Sequence, residues 1–409
     1  MSLLRRLSLR EHLVGRYVMR DLSIKELFYI THISNVPSIL KRGILSHAQV
    51  LEQKVPYTQI YSDDIVSNRK VIKTLQGRTL WEYANLYFKA RNPMLYRVLR
   101  EKSLSDIAVI GLSSSSLLFP DALFTDGNAA SGSTQIFPRS KIKDYLPEMQ
   151  KKYLCLDYWS EADGTKRRIM AEWLVPNQIE PSYIRTVYVA DKDVAKQLKR
   201  TIERTSVSVI PEPFMFFLPN VRSFVPPNIN IVEGDMFFSK YHTLTISVNT
   251  VGIMGKGVAS RAKYQFPDVY VRYQDVCRLK KLAMGKPYLI KREKSIDDDL
   301  ADDPKSLMAP NDAKWFLLFA TKNNWRDASD IGGIEKGLAW VKAVYEKEGI
   351  TSLAMPALGC GLGGLDWKDV GPLMCKYLAT LSIQVQIYLP LEKPVKDDFV
   401  SPKFLLSTR

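Results

Sequence analysis

Residues 249–260 read NTVGIMGKGVAS, a lysine set between glycines in a stretch with the feel of a phosphate loop. A nucleoside-triphosphate loop needs Gly, four residues, then Gly-Lys-Ser/Thr, so that backbone amides cradle phosphates and the hydroxyl holds magnesium. Here two residues separate Gly252 from Gly255, and Gly257 follows Lys256, so spacing and hydroxyl chemistry both fail. Two other segments of the same half add to the pattern. ALGCGLGGLDW carries Gly359, Cys360, Gly361, Gly363 and Gly364, and EGDMF places Asp235 after Gly234. Glycine loops let backbone amides approach a ligand that side chains would keep away, so a pair of them suggests a diphosphate. Asp235 could accept a hydrogen bond from an adenine amino group. Each loop alone is an ordinary strand-to-helix turn; the set points to a nucleotide-type site.

The front half offers different chemistry. LFYITHISNVPSILKRGIL reads as a strand ending in Thr31 and His32, followed by Asn35 at the opening of a helix. Polar groups therefore gather at a strand end. Glu172 lies in MAEWLVP, and its apolar neighbours Met170, Ala171, Trp173 and Leu174 suggest a protected carboxylate.

These residues need elements to hold them. At 409 residues the chain is longer than one core usually organises, and 46% hydrophobic with 11% aromatic residues is enough for two. No apolar run reaches membrane-spanning length. Cys155, Cys277, Cys360 and Cys375 form no CxxC pair, and with only four histidines neither a zinc site nor a disulfide framework is expected. That usage suits a reducing cytoplasm. Of the net charge of +15, residues 1–210 supply +11, from 32 Lys+Arg against 21 Asp+Glu. Such an excess suits loose attraction to nucleic-acid phosphates. The opening MSLLRRLSLREHLVGRYVMR reads as a basic arm or helix, since it lacks a signal-peptide core and carries Glu11, with Asp21 following it.

DKDVAKQLKRTIER has helical spacing, and the segment after it holds Pro211, Pro213, Pro219, Pro226 and Pro227. Prolines at that density interrupt helix and sheet. The expected division is a first domain over 1–207, a Pro-rich linker over 208–227, and a second domain over 228–409. Past the linker, INIVEG, TLTISVN, KWFLLFA, SLAMPAL and QVQIYL read as strands alternating with helical patterns, one of them broken near Pro267. Such alternation predicts an α/β sheet covered on both faces. In front, LFYIT, IAVIGL, KYLCLDYW, IMAEWLV and IRTVYV read as strands, a less regular α+β pattern.

Gly234-Asp235, NTVGIMGKGVA and PALGCGLGGLDW resemble a macrodomain, an ADP-ribose-binding module, of the branch found in DarG antitoxins, over roughly residues 228–392. The resemblance implies an α/β/α macrodomain with a mixed sheet that removes ADP-ribose from DNA bases, with Lys256 as the catalytic lysine. Asp235, Asn249, Gly255, Gly257, Gly359, Cys360, Gly361, Gly363 and Gly364 would bind ADP-ribose, and Lys322 and Asn323 border the same pocket. Burial or neighbouring cations would lower the lysine pKa toward usefulness. Leu362 departs from the polar residue often found there.

Residues 25–200 are similar to the DarT family of DNA ADP-ribosyltransferases, through LFYITHISNVPSILKRGIL, NLYFKARNPMLYRV, FTDGNAAS and RRIMAEWLVPNQIEPSYI. The similarity implies NAD as substrate, single-stranded DNA as acceptor and an ADP-ribosyltransferase-like α+β fold, with no metal required. Glu172 matches the catalytic glutamate. Arg69 is the expected phosphate-gripping arginine, with Arg78 as its competitor. Thr31, His32, Asn35, Tyr87 and Arg91 would contact NAD, although Tyr29 stands where relatives often carry histidine. Thr125, Asp126 and Asn128 form a turn expected to border the DNA. Together these imply a writer and an eraser on one chain, of the toxin–antitoxin type. The competing reading keeps the transferase but gives it protein or RNA as acceptor, with the macrodomain as an ADP-ribose reader.

Overall fold

The computed structural model describes residues 24–61, 63–202, 206–307, 313–390 and 393–407. The expected basic arm lies outside the described residues. No helix among them is long and apolar enough to cross a membrane. The chain divides into two compact units, residues 1–216 with 300–309, and residues 217–299 with 310–409.

In the first unit the strands are β1 (Glu26–His32), β2 (Ile44–Leu45), β3 (Tyr83–Tyr87), β4 (Ile107–Ser113), β5 (Leu123–Thr125), β6 (Ile136–Pro138), β7 (Glu172–Pro176), β8 (Gln178–Ile179), β9 (Ile184–Val189) and β10 (Ser208–Pro211). Eight of them form one sheet in the order β10-β9-β4-β1-β3-β7-β5-β6, while β2 and β8 pair separately. All pairings in the large sheet are antiparallel except β9 with β10. The period of two along β7 sorts its side chains: Trp173 and Val175 enter the main core with Leu27, Ile110 and Leu112. Leu174 packs on the other face with Leu80, Tyr83, Leu123 and Ala129, and Glu172 shares its parity.

The second unit contains β11 (Asn220–Val225), β12 (Ile229–Glu233), β13 (Thr243–Asn249), β14 (Tyr288–Ile290), β15 (Trp315–Lys322), β16 (Ser352–Pro356) and β17 (Gln384–Tyr388). Their order is β11-β12-β17-β16-β13-β15-β14, parallel through the middle and antiparallel at both edges. Near-continuous burial of β13, β15 and β16 fits strands covered on both faces. The five parallel strands β12, β17, β16, β13 and β15 all end at one edge. The loops after β12, β13, β15 and β16 therefore emerge on the same side, where ligands of such sheets bind.

Three expectations need correction. The segment 208–227 is not free of sheet: β10 joins the first sheet as an edge strand and β11 the second. Proline is tolerated at such edges, and Pro211 closes β10. Residues 152–159, KYLCLDYW, form no strand, because helix Ile142–Met149 continues helically through Gln150–Leu154 and Trp159 is buried in irregular chain. Finally, 228–409 is not one unbroken piece. Residues 300–309 belong to the first unit, where Trp159 Nε1 donates to the Leu300 carbonyl at 2.9 Å and Arg97 Nε to Asp302 at 2.8 Å.

Candidate active sites

Glu172, the first residue of β7, is fully buried. Its backbone N–H donates to Thr125 Oγ1 at 2.9 Å, and that hydroxyl donates to the Gly127 carbonyl at 2.6 Å. The Thr125–Asn128 turn thus holds the carboxylate's backbone, a task distinct from the DNA border expected of it. Asp126 is paired with Arg167 at 2.9 Å and Arg168 at 3.2 Å. Only Asn128 of the turn reaches the neighbouring cavity.

Arg69 comes from the last turn of helix Asp63–Val71, which Ile72 and Leu80 fasten against the Leu174 face. Its two terminal nitrogens donate to the two Glu172 oxygens at 3.3 and 3.0 Å, and Ala129 N–H donates to Oε1 at 2.9 Å. Burial alone would lower the Arg69 pKa, but the Glu172 charge and hydrogen bonds reverse the direction and raise it. Arg78 instead donates to Asn177 at 3.0 Å. A bidentate arginine is a strong planar partner for a carboxylate.

A cavity beside this pair is lined by Thr31, Asn35, Arg69 and Tyr87, together with Tyr29 and His47. Asn35 Nδ2 donates to Thr31 Oγ1 at 3.2 Å and to the Thr58 carbonyl at 2.8 Å, tying the end of β1 to the next loop. Tyr29 is pushed up to about 12, first by burial and then by Tyr57. Burial and then the Glu172 charge raise Tyr87 as well. Two expected NAD contacts do not line this cavity. His32 turns its Nδ1 to the Ser34 N–H at 3.2 Å, capping the following turn. Arg91 is buried with its guanidinium 4.2 Å from the Phe214 ring centroid.

Sequence reasoning missed His47, Arg97 and Asp302, which also line the cavity. His47 stacks on Trp81 at 4.4 Å and its Nδ1 lies 3.0 Å from the Tyr61 hydroxyl. Burial, then Arg69 and Lys70, lower its pKa to about 4, so the ring is neutral at physiological pH. No spacing rule links 47, 97 and 302; only the fold brings them together.

The second site is built from loops. Asn249 closes β13, and its side chain is spent on the turn: Nδ2 donates to the Ile253 carbonyl at 2.6 Å, while Oδ1 accepts Val251 N–H at 3.0 Å and the Tyr273 hydroxyl at 2.9 Å. The loop ends at Lys256, which precedes helix Gly257–Gln265. Lys256 is exposed, so the burial expected to perturb it is not found; the loop mouth carries it into solvent. Gly257 has φ +60° and lies under Leu362, so the left-handed turn there favours glycine.

The other glycine loop is packed more tightly. A Cβ on Gly363 would stand 2.2 Å from Ser329 Oγ and 2.5 Å from the Gly359 carbonyl oxygen. Cys360 belongs to the core, where burial pushes its thiol up to about 12, so only its backbone can face a ligand. Gly361 accepts the Gly364 N–H at 3.4 Å within the same turn, and Gly255 has open space where a side chain would stand. Asp235 accepts the Phe237 N–H at 3.2 Å and pairs with Arg261 at 2.6 Å. Lys322 donates to the Asp327 carbonyl at 2.7 Å and Asn323 accepts from Thr250, so both serve the loop after β15.

The arrangement joins a buried carboxylate with an arginine clamp and, separately, backbone loops suited to a phosphorylated ligand. Comparison with known proteins agrees in both halves. Residues 28–217 match the family described as ssDNA thymidine ADP-ribosyltransferase, DarT, and residues 309–374 match the macro domain family. A relative from Thermosipho africanus, named a DNA ADP-ribosyl transferase-DNA ADP-ribosyl glycohydrolase fusion protein, is 54% identical over 94% of this chain and 99% of its own. The solved structure of Thermosipho africanus DarTG in complex with ADP-ribose has a TM-score of 0.87 at 52% identity, covering 94% of this chain and all of that one. A DNA ADP-ribosyl glycohydrolase of Mycobacterium tuberculosis is 34% identical over 34% of this chain and 35% of its own.

Proposed function

Because this chain belongs to the family of fused DNA ADP-ribosyl transferases and DNA ADP-ribosyl glycohydrolases, we propose that Glu172 serves its writing reaction and Lys256 its erasing one. The first half transfers ADP-ribose from NAD to bases of single-stranded DNA, and the second half removes it, the toxin–antitoxin arrangement of DarTG proteins. The acceptor base proposed for this chain is thymidine, as in the family description.

The observation that carries the reading is the Glu172 carboxylate, fully buried and clamped by Arg69, which itself lines the neighbouring cavity. When the bond between nicotinamide and ribose breaks, positive charge develops on the ribose, and a nearby carboxylate stabilises it. The same group can take the proton released by the acceptor base. Arg69 orients that carboxylate, and with Arg42 and Arg97 it supplies positive charge at the cavity wall for the NAD phosphates. Thr31, Asn35 and Tyr87 would contact NAD in the cavity. In the second site, the loop amides and the free start of helix Gly257–Gln265 would hold the ADP-ribose phosphates. Lys256 would then protonate the departing base while water takes its place on the anomeric carbon, or displace the base itself, with water afterwards releasing ADP-ribose from the lysine. A single-stranded acceptor follows from access, since a stacked base hides its reacting edge. Release of nicotinamide from NAD tests the writer: it should require single-stranded DNA and fall by about 10²-fold to 10⁴-fold in Glu172→Gln. Release independent of DNA, or unaffected by that substitution, would contradict the assignment.

A further inference from the structure

The loop after β15, residues 323–330, ties both glycine loops together. The Asn323 carbonyl accepts from Thr250 N–H at 3.1 Å, and Ser329 N–H donates to the Gly363 carbonyl at 2.9 Å. Asn324 Oδ1 accepts Arg326 N–H at 3.1 Å, Asp327 N–H donates to the Asn324 carbonyl at 3.1 Å, and Asp327 Oδ2 accepts Asn324 N–H at 2.8 Å. The loop is therefore a fastened turn rather than a loose one, and Trp325 stands at its tip, 49% exposed.

A single exposed indole is ordinary on a protein surface, so its meaning depends on what stands around it. The Arg326 guanidinium lies 4.6 Å from the Trp325 ring centroid. Exposed Val251 and Ile253 sit on the Lys256 loop, and Leu362, 60% exposed, on the other glycine loop. Asp327 turns one carboxylate oxygen onto Asn324 N–H, and Asp330 turns one onto Gly332 N–H, so the local acids are engaged with backbone. The mouth of the site thus combines exposed apolar surface with Arg326 and Lys256, a pairing that suits unstacked bases joined by phosphates.

We propose that Trp325, backed by Arg326, is a stacking platform for a base flanking the ADP-ribosylated one, making the second site a reader of single-stranded DNA as well as of ADP-ribose. This rests on the erasing reaction assigned above. The ADP-ribose moiety occupies the glycine loops, and the strand attached to it must leave across their rim. Stacking there tolerates any sequence because every base offers a flat face, whereas a paired base is already stacked on its neighbours.

The test uses the full chain without NAD, so that writing is silent. Two substrates are compared: a short single-stranded oligonucleotide carrying one ADP-ribosyl thymidine, and the ADP-ribosyl thymidine nucleoside alone. Trp325→Ala should raise KM for the oligonucleotide roughly tenfold, leave kinetics on the nucleoside unchanged, and leave the Kd for free ADP-ribose unchanged. Trp325→Phe should restore most of the loss. An unchanged oligonucleotide KM overturns the proposal, as does an equal defect on the nucleoside, which would put Trp325 inside the ADP-ribose site. Failure of the erasing reading looks different: the unaltered chain would release ADP-ribose from neither substrate, and the stacking assignment would fall with it.

Discussion

The writing site presents a buried carboxylate gripped by a guanidinium and a backbone N–H, whereas the erasing site presents an exposed lysine among glycine turns. The first is made of side chains whose charges must balance out of water. The second is made of backbone whose shape must stay open. Glycosyl transfer needs charge placed beside a developing cation, and binding a diphosphate needs N–H groups that nothing crowds. The two halves should therefore fail under different kinds of substitution.

Removing a charge should do most damage in the first unit. Arg69→Leu leaves Glu172 buried without its cation, which should cost about 3–5 kcal/mol of stability. Guanidinium unfolding followed in that unit would read it, and a loss under 1 kcal/mol would mean that water or Ala129 satisfies the carboxylate unaided. Adding atoms should be the comparable injury in the second. Gly363→Val forces a side chain against Ser329 and the Gly359 carbonyl; about 3 kcal/mol of strain corresponds to roughly a hundredfold loss of ADP-ribose affinity. Nicotinamide release by the first unit should stay as it was, and titration calorimetry with ADP-ribose would reveal an unexpectedly tolerant loop.

An effect of similar size concerns pH. His47 is held neutral in the fold, its pKa lowered to about 4 from the ordinary 6.5. The unfolded chain takes up a proton below 6.5 while the folded chain does not. Its contribution is therefore complete above 6.5, declines as pH falls, and is gone below about 4, a span worth on the order of 3 kcal/mol. His47→Gln should flatten that part of the stability profile, measured by unfolding at pH 7.5 and pH 5. An unaltered slope would assign the acid sensitivity to other groups.

Periodic segments were the legible ones. IRTVYV occupies β9 over Ile184–Val189, and the pattern broken at Pro267 becomes helices Gly257–Gln265 and Pro267–Arg278. KYLCLDYW misled because aromatic alternation can serve packing without pairing: Trp159 is buried and Tyr153 lies under Arg168, yet neither belongs to a strand. The loops at the parallel strand ends could be located from glycine and proline punctuation. Asn249, Cys360 and Arg91 show what residue type alone leaves open, since a polar or reactive side chain can face its own loop, the core or a ring. His47, Arg97 and Asp302 were beyond sequence reasoning, because sequence-distant segments meet there only through tertiary packing.

The central claim is that opposing reactions share this chain and depend on Glu172 and Lys256. The most direct measurement is the intact mass of a thymidine-containing single-stranded DNA pool after incubation with NAD and Lys256→Ala, alongside the unaltered chain and Glu172→Ala/Lys256→Ala. The account predicts a persistent ADP-ribose adduct with Lys256→Ala, none with the double variant, and a reduced or transient one with the unaltered chain. No adduct from folded Lys256→Ala would contradict the DNA-writing assignment, and equal adduct from the unaltered chain would contradict Lys256-dependent erasure.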